Sequence, residues 1–207
     1  MSLPAEGVYP IGNTNKTDLQ ADIVFVHGLG GDANETWRYG KQNNAEHFFW
    51  PQELGQDLPL CAVWTVGYPA GVTRFGKPGM IIEMRAGNIA RKLVSSGLGS
   101  RPIIFITHSM GGLVVKQLIV NSQIQPDAGY KNLVQMIRGI IFCATPHRGS
   151  DFASAASILG KFFGVFQSHV SEMRDDSEQL DLLHDKFVEW HRNSPIPVKS
   201  YANTADC

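Results

Sequence analysis

The sequence predicts an α/β domain whose central sheet is mostly parallel and is covered by helices on both faces. Apolar runs typical of strands alternate along the chain with amphipathic patterns typical of helices, the order that builds parallel sheets. The runs are almost continuously apolar, as strands are when both faces of their sheet are buried. The 207 residues are 43% hydrophobic and 18% charged, which suits a single globular domain with a sizeable core.

Five runs of apolar, β-branched or aromatic residues are the predicted strands. Residues 1–20 are polar and rich in turn-forming residues, so we interpret them as a leader onto the first strand. The predicted strands follow, in order, at residues 23–26, 61–66, 103–107, 139–144 and 197–201.

Three helical patterns lie between these strands. The stretch from Met110 to Val120 is apolar almost all round, which is typical of a helix packed inside a domain. Two other stretches carry one apolar stripe each, and Asp176 or Ser177 is available as N-cap for the second. The first stripe contains Ile82, Ala86, Ile89, Ala90 and Leu93, and the second contains Leu180, Leu183, Phe187 and Trp190.

Residues 150–193 are interpreted as a cap-like or lid-like helical insertion. Within this region, residues 152–167 carry four phenylalanines among small residues. One interpretation is an ordinary helix that covers the sheet. The other is a lid in which Phe162, Phe163 and Phe166 line an acyl pocket. Contact with a membrane surface is a weaker third interpretation, because Lys161 supplies the only charge of the stretch.

Composition and charge argue against several classes of protein. The formal net charge is −1, and the basic residues are spread along the chain, so we expect no nucleic-acid partner. The first residues lack a basic segment followed by an apolar one, and no apolar run approaches the roughly 18 residues of a membrane span. The three cysteines have no metal-like spacing, so we expect buried thiols, no metal site, no cofactor and a cytoplasmic location.

The stretch HGLGGDA, which follows the first predicted strand, has two interpretations. Residues 28–33 match G-x-G-x-x-A, the fingerprint of dinucleotide-binding proteins. A His-Gly pair at the end of a strand, here His27 and Gly28, is also how esterases build half of an oxyanion hole.

The stretch IIFITHSMGG, residues 103–112, indicates a nucleophile elbow. An apolar strand leads directly into Ser109, then into two glycines and an apolar helix, so the serine would project above the sheet. Gly111 supplies the small residue two positions after the serine, which we expect because the turn brings backbones close together and because glycine tolerates a positive φ. Thr107 stands where a glycine is usual, which crowds the turn. The alternative is that Ser109 is an ordinary N-cap.

The context of the first motif favours the oxyanion interpretation. A dinucleotide site requires an acidic residue at the end of the second strand, but that strand ends in Gly67, Tyr68 and Pro69. Residues 34–40 are also too polar for a helix packed on the sheet. We therefore expect the backbone amides of Leu29 and Met110 to donate hydrogen bonds to an oxyanion.

Four stretches in this order resemble the lipase-like serine esterases of the α/β-hydrolase fold: HGLGG, GYPAG, THSMGGLVVK and GIIFCATPHRGS. The resemblance is closest to the group that includes GPI-inositol deacylase, and it extends from Asp22 to Asp206. Such domains also occur as effector modules of larger signalling proteins, so fusion to or assembly with a larger protein is open. The resemblance implies that Ser109 is the nucleophile, with Leu29 and Met110 as oxyanion donors.

The resemblance also suggests where the other catalytic residues lie. In this family an acid follows the strand after the TPHRG stretch, and Asp206 occupies that position, with Asp151 as the alternative. A solvated terminal aspartate is the other interpretation of Asp206. The family's histidine follows one further strand, so we expect the chain to lack the last strand, the last helix and that histidine. His147 is the fallback base within the chain, and His184 and His191 are expected at the surface.

Two functions are compatible with these motifs. The first is hydrolysis of a carboxylic ester, of a lipid or another acyl compound, through an acyl-enzyme on Ser109. The second is a catalytically incomplete module for interaction or signalling, whose terminal strand at 197–201 is open to pairing. Metal-dependent hydrolysis is a weak third candidate, because the sequence has no H-E-x-x-H or comparable cluster.

Overall fold

The structure, a computed structural model, describes residues 3–40, 48–69, 78–124, 126–149 and 170–201. Its strands in chain order are β1 (Gly7–Gly12), β2 (Ala21–Val26), β3 (Arg38–Tyr39), β4 (Phe48–Phe49), β5 (Cys61–Gly67), β6 (Ile103–His108), β7 (Ile137–Cys143) and β8 (Val198–Tyr201). The five predicted strands are thereby confirmed as β2, β5, β6, β7 and β8.

Helices fill most of the connections between these strands. In the described residues they are α1 (Trp50–Asp57), α2 (Pro78–Ser95), α3 (Met110–Asn121), α4 (Ala128–Gln135) and α5 (Val170–Asn193), and a 3₁₀ turn lies at Glu35–Trp37. The three predicted helices correspond to α2, α3 and α5. Helix α5 begins at Val170, so Asp176 and Ser177 lie inside it and the predicted N-cap is wrong.

The main sheet has the strand order β1-β5-β2-β6-β7-β8. Strands β5, β2, β6, β7 and β8 run parallel to one another, and β1 pairs antiparallel with β5 at one edge. The predicted mostly parallel sheet is confirmed. Strands β3 and β4 form a separate two-stranded antiparallel sheet.

The central strands β5, β2, β6 and β7 are buried on both faces, which explains why they read as continuous apolar runs. Alternate residues of each strand point to opposite faces, as the two-residue period of a strand requires. Val24, Val26 and Phe105 join the apolar cluster formed with α2, α3, α4 and α5. Phe25 and Ile106 join a smaller cluster on the other face, packed against α1 and the 3₁₀ turn.

Part of the predicted leader, residues 1–20, is a strand of the sheet. Strand β1 pairs with β5 from Gly7 opposite Gly67 to Gly12 opposite Val63, with a shift in register after Pro10. Its sequence, GVYPIG, contains a proline and two glycines, which disfavour a strand by propensity but are tolerated at a sheet edge. Because β1 is an edge strand, it can contain residues that are unusual in strands, and the sequence pattern therefore did not predict it.

The predicted insertion at 150–193 is described only from Val170 onward, where it is one helix packed against α3 and α2. The aromatic stretch 152–167 lies outside the described residues. Cys61 and Cys143 are free thiols, as predicted, but both are half-buried rather than fully buried. Among the described helices, none combines the length and apolar character needed to cross a membrane.

The fold brings the two sequence motifs to one place. The chain leaves β2 for β5 on one side and later returns to β6 on the other, so the strand order reverses around β2. In open α/β sheets, ligands bind beyond the carboxyl ends of the strands at such a reversal. His27 follows β2 and Ser109 follows β6, and these strands are neighbours.

Candidate active site

Ser109 occupies a sharp turn between β6 and α3. Its backbone has φ 51° and ψ −126°, a conformation that costs free energy in any residue with a side chain. The Ser109 N–H donates to Cys143 O at 2.8 Å, and its carbonyl accepts from Gly112 N at 3.1 Å and from Thr145 Oγ1 at 3.0 Å. These three bonds hold the turn, and a strained strand-to-helix turn is what the predicted elbow requires.

The alternative of an ordinary N-cap does not fit this geometry. An N-cap serine has a backbone in the β region, and its hydroxyl accepts a bond from the first turn of the helix. Ser109 has a positive φ, and its side chain makes no capping hydrogen bond. The Ser109 hydroxyl therefore does not cap the amino end of α3.

Small residues around the turn are required for space. A Cβ atom at Gly111 would overlap the backbone carbonyls of Val26 and His27, and one at Gly112 would overlap the Thr145 side chain. Gly111 lies inside α3 and is not among the residues with positive φ, so of the two predicted reasons for this glycine only the close approach of backbones applies. Thr107 fits because its buried hydroxyl donates to Ile141 O at 3.1 Å.

The loop after β2 lies directly against Ser109. A Cβ atom at Gly28 would lie 2.7 Å from Ser109 Cβ and 3.2 Å from Ser109 Oγ. The loop is followed by the 3₁₀ turn at Glu35–Trp37 and not by the helix that a dinucleotide fingerprint needs. The G-x-G-x-x-A match is therefore incidental, and the loop lies close enough to the serine to line the same site.

The predicted oxyanion donors are next to the contact between Gly28 and Ser109, because Leu29 follows Gly28 and Met110 follows Ser109 in the chain. Leu29 is half-buried next to Gly28, and Met110 is the first residue of α3, only 6% exposed. Among the hydrogen bonds of the described residues, none is donated by either amide. The amino end of a twelve-residue helix also carries a partial positive charge, which favours an anion there.

His27 is completely buried behind the same loop. Its Nδ1 lies 2.9 Å from Gly28 O, and burial lowers the pKa of the imidazole. A neutral imidazole at this position can donate to one partner and accept from another.

His147, the predicted fallback base, belongs to the loop after β7. Its Nε2 lies 3.2 Å from Ser200 Oγ on β8, and its ring meets the edge of Phe142 at 5.0 Å. No hydrogen bond joins Ser109 to a histidine within the described part of the chain. Asp206 and Asp151, the predicted acids, lie outside the described residues.

Sequence reasoning missed a polar contact deep in the helical layer. Lys116 of α3 is completely buried, and its Nζ lies 3.0 Å from His184 Nδ1 on α5. His184, predicted at the surface, is half-buried by this contact. Burial, reinforced by the charges of Lys116 and Arg148, lowers the pKa of His184. The sequence feature that could have indicated this contact is a lysine inside a mostly apolar helix.

The chain is similar to one described protein family and to several known proteins. The family described as "Putative serine esterase (DUF676)" matches residues 16–174. Protein SERAC1 of Bos taurus is 30% identical over 219 residues, and that of Homo sapiens is 30% identical over 217 residues. Each alignment covers 96% of this chain but 33% of the relative, so the chain spans about a third of their length.

Among solved structures, a butyrate-bound esterase, Est2 from Thermogutta terrifontis, is 10% identical, with a TM-score of 0.48. That superposition covers 95% of this chain and 77% of the esterase.

Proposed function

The chain belongs to the family described as "Putative serine esterase (DUF676)", and from this membership we propose that it hydrolyses carboxylic esters through an acyl-enzyme on Ser109. The observation that carries the proposal is the strained turn at Ser109 with the Gly28 loop packed on it. We assign that turn as the nucleophile elbow. Ester hydrolysis in general accords with the family, and the assignment of residues to steps is our proposal.

In the proposed reaction, Ser109 Oγ attacks the carbonyl carbon of the ester and gives up its proton to a histidine. The carbonyl oxygen becomes an oxyanion, which accepts hydrogen bonds from the amides of Leu29 and Met110. The intermediate collapses, the alcohol leaves with the proton from the histidine, and the acyl group stays on Ser109. Water, deprotonated by the same histidine, then releases the carboxylic acid.

The acid that orients the histidine is proposed to be Asp206. Strand β8 lies next to β7, and Tyr201 at its end is paired with Cys143. Strand β8 therefore ends at the same edge of the sheet as β6, which leads into Ser109, two strands away. His147 remains the histidine to test first, because its loop is tied to the Ser109 carbonyl through Thr145.

An acyl or lipid ester is the proposed substrate class. The support is the phenylalanine-rich composition of residues 152–167, which would suit an acyl pocket or a peripheral contact with a membrane.

A second candidate function is an interaction or signalling module within a larger protein. The supporting observation is that the relatives are about three times as long as the matched segment. Strand β8 is an edge strand of the described sheet, and its unpaired side would be available to another strand.

Labelling with a fluorophosphonate probe tests the first proposal against the second. We expect the full-length protein to be modified at Ser109, read by mass spectrometry, and Ser109→Ala to abolish the modification. Ser122→Ala is the matched control, because Ser122 is equally buried at the other end of α3 and bonds the carbonyl of Ile119. His147→Ala then tests the fallback base. A folded full-length protein that is not labelled would favour the module.

A further inference from the structure

Tyr68, the residue after β5, packs against one side of His27 and makes three contacts with it. The two rings are stacked with centroids 4.2 Å apart and planes 8° apart. The Tyr68 backbone N–H donates to His27 Nε2 at 3.3 Å, and the Tyr68 hydroxyl donates to the backbone carbonyl of His27. Tyr68 is 5% exposed and His27 is fully buried, so water does not compete for these bonds.

These contacts determine the tautomer of His27. A backbone N–H can only donate, so Nε2 must be the accepting nitrogen of a neutral ring. The ring proton is therefore on Nδ1, from which it is donated to Gly28 O at 2.9 Å. Burial lowers the pKa of His27 and raises that of the Tyr68 phenol, so both groups keep these donor and acceptor roles at neutral pH.

The Gly28 carbonyl in turn determines where the Leu29 amide points. A peptide group is planar and trans, so the N–H of Leu29 is directed opposite to the carbonyl of Gly28. That carbonyl accepts from His27 Nδ1 and from Gly31 N, the latter at 3.3 Å. The direction of the Leu29 N–H is therefore set by His27, whose ring is held by Tyr68.

We propose that Tyr68 is a positioning residue for the oxyanion hole, acting through His27 on the amide of Leu29; the inference rests on the proposed function of Ser109. Arg85 extends the arrangement towards the second donor. Its guanidinium lies 5.5 Å from the centre of the Tyr68 ring, and its Nη1 donates to Met110 Sδ at 3.6 Å. One buried group of side chains thus contacts Met110 and the Gly28 carbonyl, which belongs to the peptide group of the Leu29 N–H.

Tyr68→Phe is the sharpest test, because it keeps the ring and the backbone N–H and removes only the hydroxyl donor. In the full-length protein we expect kcat for a short-chain p-nitrophenyl ester to fall about 10-fold to 100-fold, with KM changed less than about 2-fold. Loss of a whole oxyanion donor costs about 100-fold to 1,000-fold, and a misdirected donor should cost less. The effect falls on kcat because the oxyanion forms after the substrate has bound.

Tyr130→Phe is the matched control. Tyr130 is as buried as Tyr68, and its hydroxyl also donates to a backbone carbonyl, that of Leu118, at 3.0 Å. Its side chain packs in the helical layer, in α4. Both variants should lower the urea midpoint of unfolding, but only Tyr68→Phe should lower kcat. Equal kcat values for the two variants would overturn the inference.

A double-mutant cycle tests whether Tyr68 acts through His27. His27→Asn retains a donor towards Gly28 O but loses the acceptor for the Tyr68 amide. Because the Tyr68 hydroxyl bonds the backbone carbonyl of residue 27, which His27→Asn keeps, the cycle uses Tyr68→Leu, which removes the ring stacked on His27. Tyr68→Leu should lower kcat less in the His27→Asn background than in the wild type, whereas additive effects would overturn the inference. If Tyr68→Phe does not fold, His27→Asn alone decides: an unchanged kcat overturns the inference, and a fall in kcat at constant KM supports it.

The wild-type protein separates this inference from the function on which it rests. If the folded full-length wild type is not labelled at Ser109, the proposed function fails and the role of Tyr68 fails with it. If the wild type is labelled and Tyr68→Phe behaves like Tyr130→Phe, only the role of Tyr68 is overturned.

Discussion

At Gly28 the loop after β2 comes within contact distance of the candidate nucleophile. The atoms that a Cβ would meet there are Ser109 Cβ at 2.7 Å and the backbone oxygen of His108 at 2.9 Å. Neither is the end of a flexible side chain, since both belong to the turn that the Ser109 backbone bonds hold. A side chain at this position would therefore displace the loop that carries the Leu29 amide.

Gly28→Ala should slow fluorophosphonate labelling of Ser109 by about 10-fold or more, because a displaced donor stabilises the oxyanion less. The measurement is the labelling rate at several probe concentrations. Gly87→Ala is the control, since a Cβ at Gly87 on α2 would meet only Arg91 Nη1, at 3.6 Å. Equal labelling rates for the two variants would contradict the close approach of the Gly28 loop.

Helix α5 is joined to the nucleophile helix α3 by both apolar and ionisable groups. Leu180, Leu183 and Phe187 pack into the same apolar cluster as the buried residues of α3. Within that layer the Nζ of Lys116 lies 5.5 Å from the centre of the Phe187 ring and bonds His184. The His147 ring, Arg148, Asp181 and Asp185 face the same histidine. The loop after β7, α3 and α5 therefore meet around His184.

The pKa of His184 makes the stability of this junction dependent on pH. In the folded protein burial and the neighbouring cations lower that pKa below the ordinary 6.5, so the unfolded chain binds the proton more readily. The contribution of His184 is thus complete above about pH 6.5 and is lost as the pH falls below it.

His184→Gln should accordingly make the urea midpoint of unfolding less sensitive to acidification. The measurement is the midpoint between pH 7.5 and pH 5 for the wild type and the variant. His191→Gln on the same helix is the control, because His191 Nε2 bonds the carbonyl of Ile196 instead of a lysine. A pH dependence that persists in His184→Gln would show that other groups cause it.

Across the whole molecule, the candidate site and a buried ion pair that stabilises the fold lie at opposite ends of the strands. The completely buried Asp22 lies near the start of β2, at the opposite end from His27. Its carboxylate accepts two bonds from Arg101, at 2.8 and 3.2 Å, and one from Trp64 Nε1 at 2.9 Å. This pair ties β2 and β5 to the segment that enters β6.

Arg101→Met should lower the free energy of unfolding by about 2 kcal/mol, because it leaves a buried carboxylate without its cation. Arg101 is 31% exposed, which keeps the loss below that of a fully buried pair. Arg138→Met, at an exposed arginine that bonds backbone carbonyls, should change stability by less than about 0.5 kcal/mol. Both should leave the labelling rate of Ser109 unchanged, so a slower rate in Arg101→Met would contradict the separation.

Most of the fold could be predicted because its central strands are continuous apolar runs and its helices carry apolar stripes. The family match, the strand order and the helices on both faces confirm the predicted α/β-hydrolase fold. The strands and the helix that were not predicted are too short or too irregular to give a clear hydrophobic pattern. Strand β1 is interrupted by Pro10 at an edge, β3 and β4 have two residues each, and α4 is eight residues long.

The sequence by itself determined the order of strands and helices and the turn that carries Ser109. Both depend on neighbouring residues: apolar periodicity for the elements, and the Thr-His-Ser-Met-Gly-Gly stretch for the turn. Only the tertiary structure decided which distant side chains meet. Tyr68 contacts His27 across 41 residues, and His184 contacts Lys116 across 68. No local pattern encodes such pairs, because they form only when the sheet brings β2 beside β5 and α5 against α3.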